Sequence, residues 1–269
     1  MPRSLSRLGR QGFRVIFTTS WDDGHPLDLR IAELLAEHGL RGSFYVPVER
    51  KQSGGRMDSA DLRRLRNLGM EVGAHTVSHP DLTTAPDAFS QLVDGKRYLE
   101  DLIGETITAF AYPFGRFDSR VVRLVKKAGY RLARTTVSFR TGRRFEPCKM
   151  PTTFQFVRHR PRIHIRQALS EWNLNALTTW CWRWRCETDL RRLARLAMED
   201  ARRSNGVVHL WGHSWEIDSH RLWGLLKEVL HETQQQPGVT SLTNSETVGA
   251  LRLAVHPDLS EQGPRERGG

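Results

Sequence analysis

The sequence predicts a parallel α/β fold, and three of its features say so. Strand-like and helix-like segments alternate from Phe13 to Thr136. The helices that precede new strands stop at glycines, namely Gly39, Gly69, Gly104 and Gly129. The titratable residues gather directly after the strand-like segments, at Asp22, Asp23, His75, His79 and His213. Repeated β-loop-α units of this size put parallel strands beside covering helices.

The elements follow in order. FRVIFTTSW is rich in β-branched and aromatic residues, a strand signal, and ends in the turn Asp22-Asp23-Gly24. DLRIAELLAEHG carries Leu29, Ile31, Leu34 and Leu35 at helical spacing and stops at Gly39. GSFYVP reads as the second strand, and MDSADLRRLRNLG as a helix with Asp58 or Ser59 as N-cap. MEVGAH is a strand, DAFSQLVDGKRYLEDLIG a helix, TAFAYPFG a strand with a turn, SRVVRLVKKAG a helix and YRLARTT a strand.

Residues 140–185 lack a clean period, but contain strand-like CKMPTTFQFV and helix-like IRQALSEWNLNALTT. LRRLARLAMEDARRSN is a helix and GVVHLWGHSW a strand. SHRLWGLLKEVLHETQQ reads as the last long helix, and VTSLTNSETVGAL as a final strand and short helix.

A chain of 269 residues with 38% hydrophobic content can bury a core. Nothing divides it, so the reading is one domain over 13–255, with a flexible basic leader at 1–12 and a loose tail at 256–269. The net charge of +11 would attract polyanions, yet the basic clusters at 158–162 and 183–203 lack interleaved stacking aromatics. No nucleic-acid partner is expected. Cys148, Cys181 and Cys186 form no even-spaced framework, which argues against a disulfide-stapled domain. The N-terminal stretch lacks a signal peptide's apolar segment, and no run of about 18 apolar residues occurs, so a cytoplasmic protein without a membrane segment is expected.

In a parallel barrel the loops after the strands open on one face, where active sites sit. Adjacent Asp22 and Asp23 point in different directions at a strand end; a metal would take one and leave the other as a base. The same Asp-Asp-Gly also reads as an Asx turn. His75 and His79, four apart in HTVSHP, can both reach one metal; one added carboxylate gives a three-ligand catalytic site with an open position. His213 at the end of VVHLWGH is a suitable acid for a departing amine, and His209 reads as an interior histidine.

These segments together resemble the polysaccharide deacetylases, the NodB-like superfamily of carbohydrate esterase family 4. SWDDG is similar to the first motif, usually TFDDG; HTVSHP to the second, H-[ST]-x-x-H-P; AYPFG to the third, usually R-P-P-[YW]-G; and VVHLWGH to the last. They occur in the family's order from residue 13 to about 215.

The resemblance implies a distorted (β/α)7-type barrel and hydrolysis of the N-acetyl group of an amino sugar or glycan. Asp22 would be the general base, and Asp23, His75 and His79 the ligands of one divalent metal. Zn²⁺ suits those ligands, as Co²⁺ or Ni²⁺ also could. The Phe114 backbone N–H would help hold the oxyanion, and His213 would protonate the amine.

The chain departs from the pattern in several places. Ala111 replaces the arginine of motif three, and Arg134 is the residue expected to supply its charge. The usual carboxylate behind the catalytic histidine is missing, with Glu216 as candidate. Trp172, Trp180, Trp182, Trp184, Trp211 and Trp215 would offer faces for a sugar ring, though most read as core. Two rival readings are a hydrolase of cyclic imides or ureides on the same fold, and a non-catalytic carbohydrate-binding protein.

Overall fold

The computed structural model describes residues 15–49, 55–158 and 178–255. The leader, the tail, Trp172 and most of the helix expected in IRQALSEWNLNALTT lie outside the described residues.

The first strand, β1 (Val15–Asp22), is buried along its whole length. Its near-continuous run of apolar and β-branched residues suits a strand covered on both faces. It pairs in parallel with β2 (Gly42–Val46) on one edge and β7 (Val207–Gly212) on the other. From β2 the sheet continues through β3 (Glu71–Ala74), β4 (Ala109–Ala111) and β5 (Leu132–Arg134), all parallel. Beyond β7 lies β6 (Phe154–Gln155), and β8 (Val239–Ser241) pairs with the start of β1.

Met150 bridges back to β5: Thr135 N–H donates to its carbonyl and its own N–H donates to Ala133. Thr153 N–H donates to His209 O on β7. The sheet therefore curls into the distorted parallel barrel that the sequence predicts, closed by the segment 150–155. That double duty explains a departure: strand-like CKMPTTFQFV forms only a single 3₁₀ turn at Pro147–Lys149 and the two-residue β6.

The covering helices are α1 (Asp28–Glu37), α2 (Ser59–Asn67), α3 (Ala88–Ile103), α4 (Ser119–Lys127), α5 (Leu190–Ser204), α6 (Ser214–Ser219), α7 (Trp223–Gln234) and α8 (Asn244–Val255). Asp58 is the N-cap of α2, its carboxylate accepting from the N–H groups of Ala60 and Asp61. Two expectations need correction. β7 stops at Gly212, whose partner Trp21 is next to last in β1, and His213 instead begins a helix. The expected short last helix is α8, at 12 residues as long as α7. Its N-terminal end docks on the barrel, where Asn244 N–H donates to Ser43 Oγ at 2.9 Å and Ser245 N–H to the Glu71 carboxyl at 3.2 Å. No helix among the described residues is long and apolar enough to cross a membrane.

One glycine bears directly on the functional loops. A Cβ on Gly95, mid-helix in α3, would lie 2.9 Å from the Thr76 carbonyl carbon, in the loop between His75 and His79. Alanine favours a helix over glycine by about 1 kcal/mol, but here the obstacle is backbone. Gly95→Ala is expected to lower the melting temperature by several degrees, against that helix preference; a thermal unfolding comparison checks this.

Candidate metal and catalytic centre

Each of the loops after β1, β3, β4 and β7 brings a group to one end of the barrel. Asp22 is the last residue of β1, and Asp23 turns away from it at φ 77°. Thr76, His79 and Phe114 also have positive φ, at 70°, 58° and 56°. Such left-handed non-glycine residues cost about 1–3 kcal/mol each and cluster at functional sites.

Asp23, His75 and His79 offer one ligand atom each, all within 4.8 Å of one another. The ring Nε2 atoms of His75 and His79 are 3.0 Å apart, and Asp23 Oδ1 lies 3.9 and 3.8 Å from them. His75 Nδ1–H donates to Ala111 O at 2.8 Å, which leaves the Nε2 lone pair for a ligand. Burial, together with the His79 and Arg134 charges, pushes His75 down to about 4 against the pull of Asp22 and Asp23. A neutral imidazole pair and a carboxylate at this spacing fit a divalent cation. Phe114 packs edge-on against His79, ring centroids 4.6 Å apart, and its side chain is 62% exposed.

Asp22 is engaged elsewhere. Its Oδ2 accepts from Arg134 Nη2 in a fully buried ion pair, while Oδ1 has no hydrogen-bond partner among the described residues. Burial alone would push the Asp22 carboxyl up; the charges of Arg134, His75 and His213 and the Arg134 hydrogen bond more than offset it and hold it below the ordinary range. Arg134 and Ala111 are register partners on β5 and β4. The guanidinium thus enters from the strand next to the one carrying Ala111. It lies over the rings of Trp211 and Tyr45, 5.0 and 5.4 Å from their centroids.

His213 Nε2 lies 3.9 Å from Asp23 Oδ2, and its Nδ1–H donates to Glu216 Oε2 at 2.6 Å. Gln155 Nε2 donates to the same glutamate oxygen at 2.9 Å. Burial opposes charge on His213, but the Glu216 hydrogen bond and the nearby carboxylates outweigh it and raise its pKa. His209 is interior, its Nδ1–H donating to Pro151 O and its Nε2 accepting from Ser20.

Trp215, read from the sequence as a possible sugar face or core residue, has a contact that sequence reasoning missed: its indole N–H donates to Asp23 Oδ2 at 3.3 Å. With His213 read as part of a strand, Trp215 had no helical turn to bring it back. Trp180 and Trp184 are core, and Trp182 is 88% exposed.

Residues 10–133 match the polysaccharide deacetylase family. The match covers somewhat less than half of the chain and shows a likeness to that family over the first five strands. Chitin deacetylase 1 of Cryptococcus neoformans is 28% identical over 137 residues, covering 47% of this chain and 28% of that protein. The chain spans less than half the length of the curated relatives it matches. A family 4 acetyl xylan esterase from Clostridium thermocellum, solved with a cobalt ion, superposes with a TM-score of 0.52 at 15% identity, over 87% of this chain and 90% of that one. A Mycobacterium smegmatis structure assigned to the polysaccharide deacetylases gives 0.61 at 14% identity, over 90% and 92%. At these identities the structures show a shared fold.

Ala111 stands where the motif that AYPFG resembles has arginine, so the Asp22 charge depends on Arg134. Removing one partner of a buried pair leaves an uncompensated charge and costs roughly 3–5 kcal/mol. Arg134→Ala is expected to lose that much in denaturant unfolding, and Arg134→Met combined with Asp22→Asn to recover most of it.

Proposed function

We propose that this chain is a metal-dependent hydrolase that removes the N-acetyl group of an amino sugar or glycan, leaving acetate and a free amine. The observation that carries the reading is the separation of two adjacent carboxylates. Asp23 faces His75 and His79, whereas Asp22 is held ionised by Arg134 with one oxygen unused. One carboxylate is thereby a ligand and its neighbour a base.

Asp23, His75 and His79 would hold the cation. Zn²⁺ is our first choice, with Co²⁺ or Ni²⁺ as alternatives; the cobalt ion of the Clostridium thermocellum esterase supports a site of this type. When bound, a divalent metal polarises a carbonyl and lowers the pKa of water toward about 7.

The protein's own groups supply the proton transfers. Asp22 Oδ1 takes a proton from the attacking water. The Phe114 N–H, on the turn after β4, donates to the oxyanion as charge develops. Glu216 keeps the Nδ1–H of His213 pointed away from the substrate, so that Nε2 carries the proton given to the departing nitrogen. Arg134 serves both the base and the charge balance of the buried site.

The test is acetate release from N-acetylglucosamine, its short oligomers and nucleotide-linked forms. Turnover is expected to vanish with chelator and return with Zn²⁺. Asp22→Asn is expected to abolish turnover, and His213→Ala to lower kcat by roughly 10²–10⁴-fold. A protein that binds metal but releases acetate from none of these would shift the reading to a cyclic imide or ureide hydrolase.

A further inference from the structure

Among the groups the proposed chemistry does not use, one stands out by burial and place. Asp28, the first residue of α1, is fully buried. Its Oδ1 accepts from the hydroxyl of Ser214, 186 residues away and also fully buried, and its Oδ2 has no hydrogen-bond partner among the described residues. Burial pushes the carboxyl up to about 8, so near neutral pH it is mostly the uncharged acid. An acid buried with so little to bond it is costly, and fold stability alone does not explain it.

Ser214 opens α6, and the turn it begins carries the site. His213 is the N-cap, its carbonyl accepting from the N–H groups of Glu216 and Ile217. Ser214 reaches Asp28, Trp215 reaches Asp23, and Glu216 reaches His213. A helix turn is rigid, so a rotation that moved Ser214 would move the other two with it. Asp28 in turn is tied to the Asp22-Asp23-Gly24 turn by only a few residues, and its N–H donates to His25 O at 2.8 Å.

The geometry points to Asp28 and Ser214 as positioning residues: a buried clamp that sets the first turn of α6, and with it His213 and Trp215, against Asp23. This inference rests on the deacetylase reading for its kinetic consequence, but not for its structural one. Misplacing a catalytic group by about 1 Å can cost on the order of 10²-fold in rate.

The experiment compares Ser214→Ala, Asp28→Ala and Asp28→Asn with wild type. Three readouts are used: steady-state acetate release, melting temperature, and the His213 Nδ1–H resonance of the metal-free protein. For Ser214→Ala and Asp28→Ala, kcat is expected to fall roughly 10–100-fold with KM little changed, below the melting transition. The His213 Nδ1–H signal is expected to broaden or shift as the Glu216 bond loosens. Asp28→Asn keeps an acceptor for Ser214 and matches the uncharged acid in shape, so it is expected to restore both signals.

Lowered melting temperature with unchanged kcat and resonance would reduce the pair to a packing contact and overturn the proposal. So would an Asp28→Asn protein no better than Asp28→Ala. If wild type itself releases no acetate, the functional reading falls. The resonance still decides the clamp: a signal unmoved in Ser214→Ala overturns it, and one that moves and returns in Asp28→Asn supports it.

Discussion

The buried pair between Asp22 and Arg134 is the interaction on which the site depends. The two residues stand at the ends of β1 and β5, which are separated in the sheet by β2, β3 and β4. They can meet only because the sheet curls, so the ion pair crosses the barrel interior. Taking two charges out of water is expensive, and their attraction in a low-dielectric interior offsets that only with good geometry. Here the guanidinium is also flanked by Tyr45 and Trp211, whose rings lie beside it and whose faces attract a cation. The product is a carboxylate kept ionised inside the protein, with an oxygen to spare.

Around that pair the loops deliver the remaining groups under backbone strain. Asp23, Thr76, His79 and Phe114 all occupy the left-handed region. Each lies just beyond a strand end, where the chain must leave the sheet and still aim a side chain or an N–H inward. The rigid parts make this tolerable: Gly95 lets α3 press against Thr76, and the first turn of α6 docks onto α1 through Ser214. The groups of the candidate site are thus positioned from the sides as well as from the strands that carry them.

Much of this was legible in the sequence. The alternation of elements, the glycine stops and the positions of Asp22, Asp23, His75 and His79 are local signals, written in period and turn chemistry. The exchange of Ala111 for Arg134 was legible only beside the third motif that AYPFG resembles, which carries an arginine where this chain has alanine. Glu216 was visible as a candidate from its place three residues after His213, though the helical turn that brings the two together was not, since the segment alternates like a strand.

What stayed hidden depended on distance along the chain. GVVHLWGHSW alternates like a strand to its end, yet its ladder with β1 stops at Gly212 and a helix begins after His213. Trp215 on Asp23, Gln155 on Glu216 and Asp28 on Ser214 join residues tens to hundreds of positions apart. The sequence by itself determined which chemical groups stand at the strand ends, since strand period and turn residues are local properties. Tertiary structure alone decided which of those groups face one another, because register and the curl of the sheet arise from packing among segments remote in the chain.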